Sequence, residues 1–62
     1  MNILIIEDDR RTAALLKELL GTGPHHVTCT ETGEEGLAHL RAAPVDLVVL
    51  DVMLPGLSLI HI

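Results

Sequence analysis

Ile3-Leu4-Ile5-Ile6-Glu7-Asp8-Asp9 decides the reading of this chain: four apolar residues, three of them isoleucine, cut off by three consecutive carboxylates. A run this apolar and this sharply bounded is expected of a strand covered on both faces. Much later Leu47-Val48-Val49-Leu50 repeats the arrangement and ends on Asp51. If the two runs lie side by side and parallel, Glu7, Asp8 and Asp51 meet at one edge of a sheet. Such a cluster suits a hard divalent cation and lets one carboxylate act as a phosphoryl acceptor.

The residues between the two runs decide whether they can be neighbours. From Arg10 to Leu20, Ala13, Leu15, Leu16, Leu19 and Leu20 recur at helical spacing, leaving Arg11, Lys17 and Glu18 for solvent. Asp8 or Asp9 can cap this helix and Gly21 suits its end. Gly21-Thr22-Gly23-Pro24 reads as a turn, and His26 to Thr30 as a short, half-exposed edge strand with Val27 and Cys29 on one face. Thr32 with Glu35 three residues on is a capping-box signature; Leu37, Ala38, Leu40 and Arg41 continue the helix until Pro44 stops it. Asp46 to Leu50 is the third strand.

The order strand, helix, strand, helix, strand selects an α/β fold with a parallel sheet and right-handed crossovers. The roughly 40 residues between Asp8 and Asp51 are what two helices, the intervening strand and short loops require. In the common doubly wound arrangement the first strand lies between the other two, giving the order 2-1-3, and ligands bind at the carboxyl ends of the strands. That order brings Asp51 to Asp8.

Composition narrows the function classes. The chain is 48% hydrophobic without a single aromatic residue, so core volume comes from Leu, Ile, Val and Ala, and nothing resembles a disordered tail. A formal charge of −5 with four Lys and Arg argues against a nonspecific nucleic-acid surface and against an anionic membrane. No apolar run reaches membrane-spanning length, and no basic segment precedes the first apolar run, which predicts a cytoplasmic protein without a signal peptide. Cys29 stands alone, so the fold does not rely on a disulfide.

Three carboxylates at one edge repel one another, and a divalent cation removes that cost. Mg²⁺ takes one or two carboxylates together with waters and phosphate oxygens, and would bridge Asp8, Asp51 and an incoming phosphoryl group. Asp51 is then the nucleophile.

Ile5-Ile6-Glu7-Asp8-Asp9, Asp46-Leu47-Val48-Val49-Leu50-Asp51 and Val52-Met53-Leu54-Pro55-Gly56 together resemble the first half of a response-regulator receiver domain of bacterial two-component signalling. The resemblance covers residues 1–57 and implies a partial flavodoxin-like sheet. It implies Glu7, Asp8 and Asp51 as metal ligands, Met53 as the residue whose backbone carbonyl completes the metal shell, Mg²⁺ as cofactor, and Asp51 as the phosphoacceptor. It further implies a sensor histidine kinase as phosphodonor and an acceptor module that is not a turnover enzyme. The Asp-x-Met-Leu-Pro-Gly wording is most similar to receivers of winged-helix transcriptional regulators, whose effector domain and DNA contacts would lie in a further C-terminal region. The family continues after Gly56 with Asp or Asn and then Gly, whereas this chain has Ser58 and Leu59. Residues 58–62 are therefore expected to be a non-native tail with a strand-like pattern, and phosphotransfer is expected to be impaired by truncation.

Other readings compete at particular residues. Asp9 is expected to cap a helix, not to ligate metal. His25, His26, His39 and His61 share no ligand spacing. Cys29 reads as a small core residue, and Gly33 and Gly36 do not form a phosphate loop. A haloacid-dehalogenase-like phosphohydrolase would need a second Asp two residues after the nucleophile, where this chain has Met53. The remaining alternative is a noncatalytic interaction fragment that pairs with another chain, or with itself, through a sheet edge left bare beside the third strand.

Overall fold

The computed structural model describes residues 1–50 in full and Asp51 and residues 57–61 as backbone. Its elements are β1 (Asn2–Ile6), α1 (Arg10–Leu20), β2 (His26–Thr30), α2 (Gly33–Ala42), β3 (Leu47–Asp51) and β4 (Leu57–His61). They form one sheet in the order β2-β1-β3-β4, with β1 parallel to both β2 and β3 and β4 antiparallel to β3. The 2-1-3 order expected from the sequence is present, with β1 at its centre.

That central place explains why the isoleucine-rich run has no polar alternation. Side chains of a strand alternate between faces, and both faces of β1 are covered, so Ile3, Leu4 and Ile5 are all buried. On one face Ile3, Ile5 and Val49 form the core, with Leu16 and Leu20 of α1, Val27, Cys29 and Leu47 packed against it. On the other face α2 approaches through Gly36, the buried residue of that helix. A Cβ built there would lie 2.8 Å from Cγ1 of Ile6 and 3.3 Å from Oγ1 of Thr30. A glycine is what lets α2 sit this close to β1 and β2.

Asp9, not Asp8, caps α1: its Oδ1 accepts from the backbone N–H of Arg11 at 2.9 Å and of Thr12 at 3.4 Å. Thr32 caps α2 by accepting from Glu35 N–H at 3.1 Å. The reciprocal half of the capping box differs from expectation, since Glu35 Oε1 takes the Thr32 hydroxyl at 3.2 Å. Gly21 closes α1 in a right-handed conformation, and the positive φ of the following turn falls on Gly23, at 96°. α2 gives way to extended backbone at Ala43, as the residue before a proline prefers.

Three features depart from the sequence reading. β3 begins at Leu47, because Asp46 is used as a clamp: its N–H donates to Asn2 O at 2.8 Å while its Oδ2 accepts from Asn2 N–H at 2.6 Å. Leu15, Leu19 and Leu37, though at helical spacing, are 57%, 62% and 48% exposed. On α1 it is Leu16 and Leu20 that pack on the sheet. Finally, the edge of β3 that was expected to be bare is paired with β4, from Leu47↔His61 to Asp51↔Leu57. The outer strands of the described sheet are β2 and β4.

Candidate functional site

Glu7 is the first residue after β1, and its backbone N–H donates to Thr30 O at 2.9 Å, carrying the β1–β2 ladder one step past the strand. This holds the Glu7 carboxylate against the sheet, where the residue is only 3% exposed. Its Oε1 accepts from the backbone N–H of Asp9 at 2.8 Å. Asp8, between them, is exposed at the same edge. The chain leaving β1 thus presents one carboxylate inward and the next outward before Asp9 starts the helix.

The parallel register supplies the other half of the edge. Ile6 is opposite Leu50, so one further step along both strands sets the backbone of Glu7 beside that of Asp51, about 5 Å away at ordinary strand spacing. Glu7, Asp8 and Asp51 therefore share the carboxyl end of adjoining strands, despite their distance in sequence. The Asp51 side chain and the whole of Met53 lie outside the described residues. Among the described residues no three His, Cys, Asp or Glu side chains gather to hold a metal; of the expected ligand set, Glu7 and Asp8 are the two whose side chains are described.

Beside Glu7, between α1 and β2, a cavity of about 280 Å³ is lined by Arg10, Lys17, Cys29 and Glu31 among others. Arg10 Nε lies 3.6 Å from Glu31 Oε1, and both side chains are exposed, so the pair contributes little. Sequence spacing gave no sign that Arg10 and Lys17 border the same cavity as Glu7. Cys29 is partly buried, with Sγ 3.9 Å from Ala13 O, the packing place expected of it. The histidines whose side chains are described stand apart from the acidic edge. His25 Nδ1 is 3.2 Å from the Met1 amino group, and His26 and His39 line a second cavity of about 260 Å³ with Asn2 and Pro44.

A sheet whose first three strands are parallel with the first one central, helices on both faces and acidic residues at the exits of adjoining strands defines a doubly wound α/β module, a class that binds its ligands at the carboxyl edge. The chain belongs to the response regulator receiver domain family, which it matches over residues 3–61. It is 45% identical over 57 residues to the transcriptional regulatory protein AfsQ1 of Streptomyces coelicolor, covering 92% of this chain and 25% of that protein. Against the transcriptional regulatory protein CpxR of Klebsiella pneumoniae it is 47% identical over 53 residues, covering 86% of this chain and 22% of the relative. Against the transcriptional regulatory protein BaeR of Escherichia coli it is 39% identical over 54 residues, or 87% and 22%. The chain thus spans about a quarter of the length of these relatives. No solved structure matches it. No described helix is long and apolar enough to cross a membrane.

Proposed function

We propose that this chain is the phosphoacceptor segment of a response regulator, receiving a phosphoryl group on Asp51 from the phosphohistidine of a sensor kinase. In that transfer a carboxylate oxygen of Asp51 forms the new O–P bond, the N–P bond of the phosphohistidine breaks, and the imidazole leaves with the electron pair. The domain is an acceptor consumed and regenerated in signalling, not a turnover enzyme, and it acts in the cytoplasm. Its output, transcription regulation, passes through an effector domain and DNA contacts outside this chain. The support is that the relatives are transcriptional regulatory proteins matched through this segment.

The observation that carries the reading is the register Ile6↔Leu50, with an acidic residue one step beyond each. The donors that the family resemblance implies, carboxylates of Glu7, Asp8 and Asp51 with the Met53 carbonyl, are all hard oxygens, the chemistry that Mg²⁺ prefers. Bound there, Mg²⁺ would offset the charge on the transferring phosphoryl oxygens. Asp8, exposed, is the carboxylate that reaches outward, while buried Glu7 fixes the turn that aims it. Residues 1–57 carry this receiver segment, and residues 58–62 are a non-native tail. Bearing on that boundary, Leu57–His61 is a strand folded back on β3, while the family match runs on to residue 61.

The test is incubation with Mg²⁺ and a small acyl phosphate, followed by intact mass. One phosphoryl adduct is expected, in the low yield of an impaired transfer, lost without Mg²⁺ and lost in Asp51→Asn; an adduct that survives Asp51→Asn overturns the assignment. A noncatalytic fragment that pairs through the outer edge of β2 or β4 would instead give oligomers and no adduct.

A further inference from the structure

We propose that the cavity between β2 and α2, at the amino end of the sheet, binds a borderline divalent cation of the zinc class through His26, His39 and Asn2. Gly36 of α2 lies over Thr30, whose Oγ1 is 3.3 Å from a Cβ built on that glycine. Side chains of a strand alternate, so Thr28 and His26 follow Thr30 on the face that α2 covers. α2 starts where β2 ends and delivers the chain to the start of β3, so it runs back along β2. His39, about one turn beyond Gly36, is thereby carried toward Thr28 and His26. Asn2 is the register partner of His26 on β1, about 5 Å away at ordinary strand spacing. Two imidazoles and a carboxamide thus arrive from three elements at one cavity of about 260 Å³, with Thr28 beside them.

The donor set selects the ligand. Imidazole nitrogen suits Zn²⁺, Cu²⁺ and Ni²⁺, whereas Mg²⁺ and Ca²⁺ favour carboxylates, and among the described residues no carboxylate lines this cavity. The hydrogen bonds that fix the three ligands are made by their backbones. His26 N–H donates to Met1 O at 3.0 Å, Asn2 N–H donates to Asp46 Oδ2 at 2.6 Å, and His39 O accepts from Ala43 N–H at 3.0 Å. The side chains are therefore anchored at their bases and keep their donor atoms for an ion. His26 is exposed and His39 half-buried, so one ring can turn to meet the other. The cavity has room for an ion and the waters that complete its shell. Along the chain His26 and His39 lack ligand spacing; only the packing of α2 on β2 makes them neighbours. The site lies at the other end of the strands from Glu7, Asp8 and Asp51 and does not rest on the phosphoacceptor reading.

The test is calorimetric titration of the 62-residue chain with Zn²⁺, with circular dichroism to verify that each variant is folded. Binding is expected in the parent chain and equally in D8N/D51N, whose acidic edge is disabled. His26→Gln and His39→Gln should each weaken it about tenfold or more, since even outer-shell partners of a metal cost that much. His25→Gln should leave it unchanged, because His25 is beside the Met1 amino group and outside the cavity. A second reading needs no substitution: traces of Cu²⁺ should broaden the resonances of His26, Thr28 and His39 before those of Asp8. The proposal is overturned by a chain that takes up no Zn²⁺, by binding that survives either histidine variant of the cavity, or by binding lost in D8N/D51N. Loss in His25→Gln would also overturn it and place the ion at the Met1 amine.

Discussion

Glu7 Oε1 accepts the backbone N–H of Asp9 at 2.8 Å, and Asp9 Oδ1 in turn accepts the N–H groups of Arg11 and Thr12. Two successive acidic side chains thus tie the exit of β1 to the first turn of α1, and Asp8 is held between them. Removing the first link by Glu7→Ala leaves a backbone donor without its acceptor and opens space beside a buried position. The expected cost is about 1–3 kcal/mol, read as a lower urea midpoint at unchanged slope. Glu7→Gln keeps an acceptor oxygen at the same reach and should cost less. Equal losses in the two variants would show that the bond to Asp9 is not what Glu7 contributes.

At the other end of the sheet Asn2 and Asp46 exchange two hydrogen bonds, at 2.6 and 2.8 Å. Asp46→Ala removes the side-chain half and leaves the backbone half, so the register of β3 on β1 is kept. A loss of about 1 kcal/mol is expected. Hydrogen exchange should quicken first at Asn2 and Ile3 and not at the acidic end of the strands.

Gly36 predicts a loss from the addition of a single methyl group. A methyl group there meets Ile6 not only at its terminal Cδ1 but also at Cγ1, and Thr30 at Oγ1. Gly36→Ala gains helix propensity of about 1 kcal/mol yet forces α2 off the sheet, which costs typically 1–3 kcal/mol. A net loss is expected in thermal melts. A stabilised variant would mean that Ile6 yields freely.

These residues also mark where the sequence was legible and where it was not. The strands and both helices followed from apolar periodicity and from caps, because Ile3–Ile6 and the Leu16/Leu20 line report burial directly. The carboxyl edge followed from topology: once β1 is central, residues leaving β1 and β3 must be neighbours, which is why Glu7 and Asp51 could be paired in advance. What periodicity could not give was the rotation of each helix. Leu15, Leu16, Leu19 and Leu20 form a stripe wider than the sheet contact, and only packing decides which two are left outside. Gly36 was equally silent, since a glycine in a helix reads as weak propensity until its close neighbour is seen. Nor could a strand pattern at Leu57–His61 reveal its partner; the antiparallel return onto β3 is a tertiary choice.

The acidic edge makes one prediction about metal that does not depend on phosphotransfer. If the proposed ligand set is correct, the carboxylates of Glu7, Asp8 and Asp51 repel one another in the absence of a divalent cation, so Asp8→Asn or Asp51→Asn should raise the melting temperature of the metal-free chain. With Mg²⁺ the order reverses. A cation bound only by the folded state stabilises it by RT ln(1 + [Mg²⁺]/Kd), about 2.7 kcal/mol at a hundredfold excess over Kd. The parent chain should therefore melt progressively higher as Mg²⁺ is added, and each variant should respond far less. Asp9→Asn, which keeps a capping oxygen and lies outside the ligand set, should retain the full response. A melting temperature that ignores Mg²⁺ in the parent chain, or climbs equally in Asp8→Asn, would remove Asp8 from the metal shell.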